Sequence, residues 1–499
     1  MRAPPRLCAL LAATALAVSG TVATQAAASG TAAGCTVEYR TTGQWDAGFQ
    51  GDVTLTNHGS PVESWSLTFD FPGTQKVTQG WNGKWSQSGR TVTAVNESWN
   101  GRIPTGGSVS AGFTASWSGS NPAPTAFKVN GVACGGDTGP GDPTDPTEPP
   151  TEPPTDPPAP GGAPPQLRVS GNKLVDQNGA TRRMLGVNRS GGEFMCVQGY
   201  GFFDGPVDDA SVRAIADWKV NTVRVPLNEE CWLGLPNVNA AYSGANYIAA
   251  VKAYVARLEA HGITPVVELH WSHGKYTGGD SHCPDTEYAT CQKPMPNAQY
   301  TPAFWSSVAQ TFKDDRAVVF DLFNEPFPDR ATSSTDAAWT CWRDGGSCPG
   351  IDFRVAGMQS LLDAVRATGA RNLVLIPGIA YSNDMRQWLK YRPSDPAGNT
   401  AAAWHTYNFN TCSNESCWNE QLAPVLAQVP LVAGEIGENT CSHGYIDRVM
   451  TWLDGRGASY LGWTWNTWDC SSGPALISDY NGTPTSFGAG LRDHLKGLS

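Results

Sequence analysis

Val318–Pro326 reads VVFDLFNEP, and Pro430–Glu438 reads PLVAGEIGE. In each, a largely apolar run ends in a glutamate, Glu325 in the first and Glu435 in the second. A strand apolar on both faces belongs to a parallel sheet covered by helices. Working outward, six more runs share this character: Met184–Val187, Thr222–Val225, Thr264–Leu269, Leu373–Ile376, Ala401–His405 and Tyr460–Trp465. Amphipathic stretches alternate with them, at Asp209–Lys219, Tyr247–Ala260, Pro302–Phe312, Phe353–Thr368, Trp418–Gln428 and Tyr445–Leu453. Eight strands alternating with helices predict a (β/α)8 TIM barrel over 166–499. That span exceeds the ~250 residues typical of the fold. Insertions are therefore expected around Pro206 and in Glu229–Tyr242, His273–Asn297 and Arg330–Gly350.

The barrel is not the whole chain. Residues 137–165 are a Pro/Thr/Asp-rich linker, TDPTEPPTEPPTDPP flanked by glycine. Proline at that density favours a semi-rigid extended chain and buries no core. Residues 34–136 carry short alternating runs at Gly51–Thr56, Trp65–Phe71, Thr91–Val95 and Ser108–Trp117, separated by Gly, Asn and Pro. That pattern predicts an antiparallel β-sandwich. Residues 1–28 read as a signal peptide, with Arg2 and Arg6, an apolar Leu7–Val18 and the small-residue site Ala26-Ala27-Ala28. Ala32-Ala33 offers a second cut, as late as 33. The apolar run is shorter than the ~20 residues of a membrane span, so a secreted, extracellular protein is expected.

Cys8 leaves with the signal, and twelve of the 13 cysteines remain. An even count in an exported chain suggests disulfides. Spacing pairs Cys35 with Cys134, Cys196 with Cys231, Cys283 with Cys291, Cys341 with Cys348, Cys412 with Cys417, and Cys441 with Cys470. No Cys-x-x-Cys pair and no histidine at ligand spacing suggests a metal, so no metal and no cofactor are expected. The net charge is −11 with no Lys/Arg cluster, which speaks against nucleic acid as a partner. A monomer without a membrane partner is expected. The 19 tryptophans supply flat faces on which sugar rings stack.

Active sites of such barrels lie at the C-terminal ends of the strands. One glutamate there is most often a solvated loop carboxylate; two, each after an apolar strand, point to a functional pair. Glycosidic cleavage needs such a pair, one carboxyl protonated to donate to the leaving oxygen and one ionised. The same rim carries Arg224 in NTVRVP, placed to hold Glu435 ionised. It also carries His270 in VELHW, Asn324, and His405 and Tyr407 in AWHTYN. Trp465 in GWTWNTW is the expected sugar floor, with Trp463 and Trp468 as alternatives.

These residues resemble glycoside hydrolase family 5, whose barrels carry their glutamates after strands four and seven. The resemblance runs from Gln166 to Ser499 and rests on Asn324-Glu325-Pro326, Glu435 in AGEIGE, Arg224, His270, His405-Thr406-Tyr407 and the Trp465 region. It implies a retaining, metal-independent enzyme acting on β-linked glucans or mannans. Glu325 would be the acid/base and Glu435 the nucleophile. Asn324 would contact the sugar 2-hydroxyl, and Arg224, His405 and Tyr407 would position the carboxylates. In this chain the first strand runs on as GVNRSGGEFMCVQGYGFFDG, where the family often has an aromatic after the Asn.

Residues 34–136 resemble a family 2 carbohydrate-binding module through Cys35 and Cys134, GQWDAGF, VESWSLTF, VTQGWNGKWSQSG, VNESWNGRIPTGG and PTAFKVNG. The resemblance implies a core Trp65 and an exposed cellulose-binding strip of Trp45, Trp81 and Trp99; Trp85 has no assigned place. Together these features predict a cellulose-anchored endo-β-1,4-glucanase. A mannanase, a xyloglucanase, an exo-acting glycosidase and a non-catalytic wall-binding protein are the alternatives.

Overall fold

The computed structural model describes residues 34–45, 48–97, 100–105, 107–138, 162–284, 286–332, 334–471 and 473–498. The expected signal peptide, nearly all of the expected linker, Trp99 and the Trp45 side chain lie outside the described residues. The chain divides into two compact units between Thr151 and Glu152.

In the first unit, strands Lys76–Trp81, Ser108–Ser116, Gly48–Asn57 and Cys35–Trp45 are hydrogen-bonded in that order. Phe127–Val129, Ser66–Asp70, Thr91–Val95 and Lys84–Ser88 make the opposing layer. Val132–Thr138 joins the two. Its first residues pair antiparallel with Phe127–Val129, and its last pair parallel with Thr36–Tyr39. Alternation sends one side of each strand inward, so Tyr39 and Phe113 from one layer meet Phe69 and Phe127 from the other, and Phe49 meets Phe71. Trp65 is core, as expected, and its indole N–H donates to the Asn100 carbonyl at 2.8 Å. Trp85 packs on Phe113 with ring centres 4.9 Å apart. Trp81, at a strand end, stays half-exposed.

The second unit is a closed barrel of eight parallel strands. They are β1 (Leu185–Asn188), β2 (Thr222–Asn228), β3 (Thr264–Trp271), β4 (Val319–Asp321), β5 (Val374–Pro377), β6 (Thr400–Tyr407), β7 (Leu431–Gly437) and β8 (Ser459–Gly462). Two expectations are corrected here. β4 stops at Asp321, so Asn324 and Glu325 stand beyond it. β8 stops at Gly462, so residues 463–465 lie in the segment after it. Each expected amphipathic stretch contains a helix, two of them capped by Asp208 and Asn414, but the one expected from Phe353 begins only at Met358, after a short strand Val355–Ala356. The Arg330–Gly350 insertion contains a further helix, Thr335–Asp344. A terminal helix, Ser486–Gly497, capped by Thr485, adds to the expected set.

Inside the barrel, Val266, Val319, Leu375, Ala401, Ala403 and Val432 form a bottom layer with Leu167 and Leu174 of an N-terminal hairpin. Their outward neighbours Val267, Phe320, Ala402 and Ala433 pack under the helices. All six disulfides expected from spacing form.

Candidate active site

Above the apolar layer the same inward positions turn polar. Arg224 on β2 is fully buried and uses its guanidinium in four directions. Nε donates to Asp321 at 2.9 Å, Nη1 to Asn188 at 3.0 Å and to Glu435 Oε1 at 2.9 Å, and Nη2 to Asn324 Oδ1 at 3.0 Å. Glu268 stands 3.6 Å away. A buried guanidinium is tolerated only with such partners. Burial pushes Glu268 up to about 8 and Asp321 to about 7, opposed in both by Arg224.

Glu435 reaches this layer through a bulge. Val432 points inward and Ala433 outward, so regular alternation would send residue 435 outward. The register with β6 shifts between Trp404 and His405, which pair with Ala433 and Glu435, leaving Gly434 over. One extra residue re-aims the side chains beyond it. The bulged residue is glycine, since a Cβ there would come within 3.0 Å of His405 Nε2. Tyr407 Oη donates to the second Glu435 oxygen at 2.6 Å. Burial raises the Glu435 carboxyl, and Arg224, His270 and the Tyr407 bond oppose it.

Glu325 faces it across the mouth. One oxygen of each carboxylate and a ring nitrogen of His405 all lie within 4.8 Å of one another. His405 Nδ1 is 3.0 Å from Glu325 Oε1 and 3.6 Å from Glu435 Oε2. Burial, with Arg224 nearby, holds this imidazole neutral, well below its ordinary pKa. Glu325 is raised well above the ordinary carboxyl, by burial first and then by the charge of Glu435. Arg224 and Tyr407 bond directly to Glu435 and not to Glu325, which favours the charged form on Glu435 over Glu325. The two carboxyls thus sit in different environments, the condition under which one of a pair stays protonated and the other ionised. The Arg224 charge bonded to Glu435 opposes a cation at this triad. The other His/Cys/acid cluster among the described residues, Cys441–Asp469–Cys470, offers no thiolate because its cysteines are bonded to each other.

The pair opens into a cleft of about 1070 Å³ lined by His270, Trp463, Tyr381, Tyr407 and Phe409 among others. His270 bonds Glu268 at 3.0 Å and stacks on Trp463, ring centres 5.5 Å apart. Burial depresses its pKa to about 4. Of the three candidate floors, Trp463 is the one in the cleft. The favoured Trp465 is instead fully buried, edge-on to Trp218 at 4.8 Å. Strand parity misplaced it, because β8 ends three residues earlier. The remaining expected residues, Arg224, His270, Asn324, Glu325, His405, Tyr407 and Glu435, converge on this mouth.

Several contributors are absent from the sequence-based expectation. Asn188 looks like a glycosylation sequon, yet it is fully buried and accepts from Arg224. Glu268 and Asp321, acids inside apolar strands, were visible as anomalies: a buried charge needs a partner. Gln292 sits in a cysteine-tied loop with no motif at all.

Comparison with known proteins agrees with this geometry. Residues 176–469 match the cellulase (glycosyl hydrolase family 5) model, and residues 35–134 match the cellulose binding domain model. Endoglucanase CelA of Streptomyces lividans is 30% identical over 490 residues, 95% of this chain and 92% of that protein. Endoglucanase A of Cellulomonas fimi is 51% identical over 105 residues, 21% of this chain and 23% of that protein. A β-glucanase structure from Saccharophagus degradans superposes with a TM-score of 0.50 at 20% identity, covering 66% of this chain and 93% of that one; it shows the shared fold. With its glutamates at the mouth of an eight-stranded barrel and a matching model across that barrel, the chain belongs to glycosyl hydrolase family 5 and carries a cellulose binding domain at its N-terminal side.

Proposed function

We propose that this protein is a secreted endo-β-1,4-glucanase, delivered to cellulose by its N-terminal module and acting with retention of configuration. The reading rests on the Glu325–His405–Glu435 arrangement within 4.8 Å at the mouth of a cleft. The Glu435 carboxylate attacks the anomeric carbon as the bond to the leaving oxygen breaks, and the Glu325 proton goes to that oxygen. Glu325 then takes a proton from water, which attacks the same carbon and releases Glu435. Arg224 and Tyr407 hold Glu435 ionised and aimed, and His405 spans both carboxylates. Trp463, stacked on His270, supplies the apolar face under the sugar. Relatives named endoglucanases support the choice of polymer.

The module, with Trp45, Trp81 and Trp99 as its cellulose-binding face, raises local concentration on an insoluble polymer through the 137–165 tether. Hydrolysis of a panel of cellulose, mannan and xyloglucan with product sizing tests the reading. Internal cuts in β-1,4-glucan are expected; mannan as the preferred polymer overturns it. Removing residues 34–136 is expected to lower activity on insoluble cellulose and spare soluble substrate. Equal activity of both forms on cellulose would show that the module does not target the enzyme.

A further inference from the structure

Glu325 does not belong to a strand, so its placement must come from elsewhere. β4 ends at Asp321, four residues earlier. Ser382 Oγ donates to the Asn324 carbonyl at 2.8 Å, and the Asn324 N–H donates to Leu269. The next peptide is held by a side chain. Gln292 Nε2 donates to the Glu325 carbonyl at 3.3 Å, and Gln292 Oε1 accepts from Asn324 Nδ2 at 3.0 Å. One amide thus bridges the backbone of the acid and the side chain beside it. It also fixes which way the Asn324 amide points, with Oδ1 toward Arg224 and Nδ2 toward the cleft-side Gln292.

Gln292 is itself held on both sides. Cys291 is bonded to Cys283, closing a short loop. Lys293 is buried, with Nζ 3.2 Å from the Thr286 carbonyl and 3.3 Å from Cys283 Sγ. Two residues on, the Pro294 carbonyl accepts from the Phe327 N–H, so the loop runs alongside the segment carrying Glu325. A polar side chain gripped this way, and lining the cleft, is built for alignment.

We propose that Gln292 is a positioning residue for proton donation: held by the Cys283–Cys291 loop, it sets the peptide of Glu325 and the amide of Asn324 so that the acid meets the leaving oxygen. The inference rests on Glu325 being the acid. In the affected step, a Glu435 oxygen bonds to the anomeric carbon, the bond to the leaving oxygen breaks, and the Glu325 proton passes to that oxygen. An ill-placed acid slows this only when the leaving group needs the proton.

The test compares kcat/KM of Gln292→Met, a shape-conserving change that makes neither bond, on two substrates. Cellotetraose has a sugar leaving group that needs protonation, and 2,4-dinitrophenyl β-cellobioside does not. The variant is expected to lose about 10- to 100-fold on cellotetraose, the scale of a small misplacement of a catalytic group. On the dinitrophenyl substrate it is expected to stay within about twofold of the parent. The ratio of the two does not depend on how much enzyme folds, so a partly misfolded preparation leaves it unchanged. Equal losses on both substrates, or no loss on either, would overturn the role. Glu325→Ala, run in parallel, must show the same selectivity more strongly. If it loses both substrates alike, the assignment of the acid has failed, and the role of Gln292 falls with it.

Discussion

Arg224 Nη1 donates to Glu435 Oε1 at 2.9 Å, across 211 positions of chain and with both side chains buried. The contact lowers the pKa of Glu435 against the rise that burial causes. Lysine at 224 would keep a charge but lose the planar fork that reaches Asp321, Asn188 and Asn324 as well. As the proposed nucleophile Glu435 must be ionised, so weakening its partner moves the acidic limb of the kcat/KM profile to higher pH. Arg224→Lys is expected to show that shift together with a lower kcat. Arg224→Ala strands buried carboxylates and is expected to cost about 3–5 kcal/mol of stability by denaturant unfolding.

The two glutamates are distinguished by the azide products of their variants. Glu435→Gly with azide and an activated β-cellobioside is expected to give the α-glycosyl azide, since azide then attacks from the side the nucleophile vacated. Glu325→Ala is expected to give the β-glycosyl azide, because the glycosyl–enzyme still forms. Without azide, Glu325→Ala should lose on the order of 10²–10⁴ on unactivated substrates. Product configuration by NMR checks both, and exchanged products would exchange the roles.

Glu325 sits above the ordinary carboxyl range because of burial and the Glu435 charge. An acid works only while protonated, so activity persists below its pKa and falls as pH rises through it. Glu435→Gln removes the neighbouring charge and is expected to lower the Glu325 pKa. Carbon-13 titration of labelled glutamate in the parent and the variant checks the direction.

Asp52, in the module strand Gly48–Asn57, has a buried Oδ1 with no hydrogen-bond partner. Burial lifts its carboxyl to about 6. A carboxyl raised on folding favours the folded state while protonated. Its contribution is full below the ordinary value near 3.8 and is lost as pH rises through about 6. The module's melting transition in the intact protein is therefore expected to fall between pH 4 and 7, and Asp52→Asn to flatten that fall. Calorimetry across the window is the check; an equal slope in both proteins would contradict it.

Most of the barrel could be read from composition and period because its strands are apolar on both faces and its helices are amphipathic. The glutamate pair was legible for the same reason: a charge ending an apolar run is conspicuous. Trp465 shows the limit of such reading. Three tryptophans within six positions look alike in sequence, and only the end of β8 at Gly462 decides which one meets the cleft. Glu435 shows another. Simple alternation points it outward, and the surplus Gly434 that corrects this leaves no mark in a hydrophobic pattern. Gln292 and Asn188 act through side-chain hydrogen bonds to distant parts of the chain, which no local pattern encodes.

The strand Val132–Thr138 leads out of the module toward the catalytic unit, and Cys134 on it is bonded to Cys35. When the enzyme drifts while its anchor stays on the fibre, tension enters by this strand. It can peel back the few pairs that Gly135–Thr138 make with Thr36–Tyr39, and then it meets a covalent crosslink. From there the load divides between the strands on either side of the crosslink, so drawing out more chain means unzipping both at once.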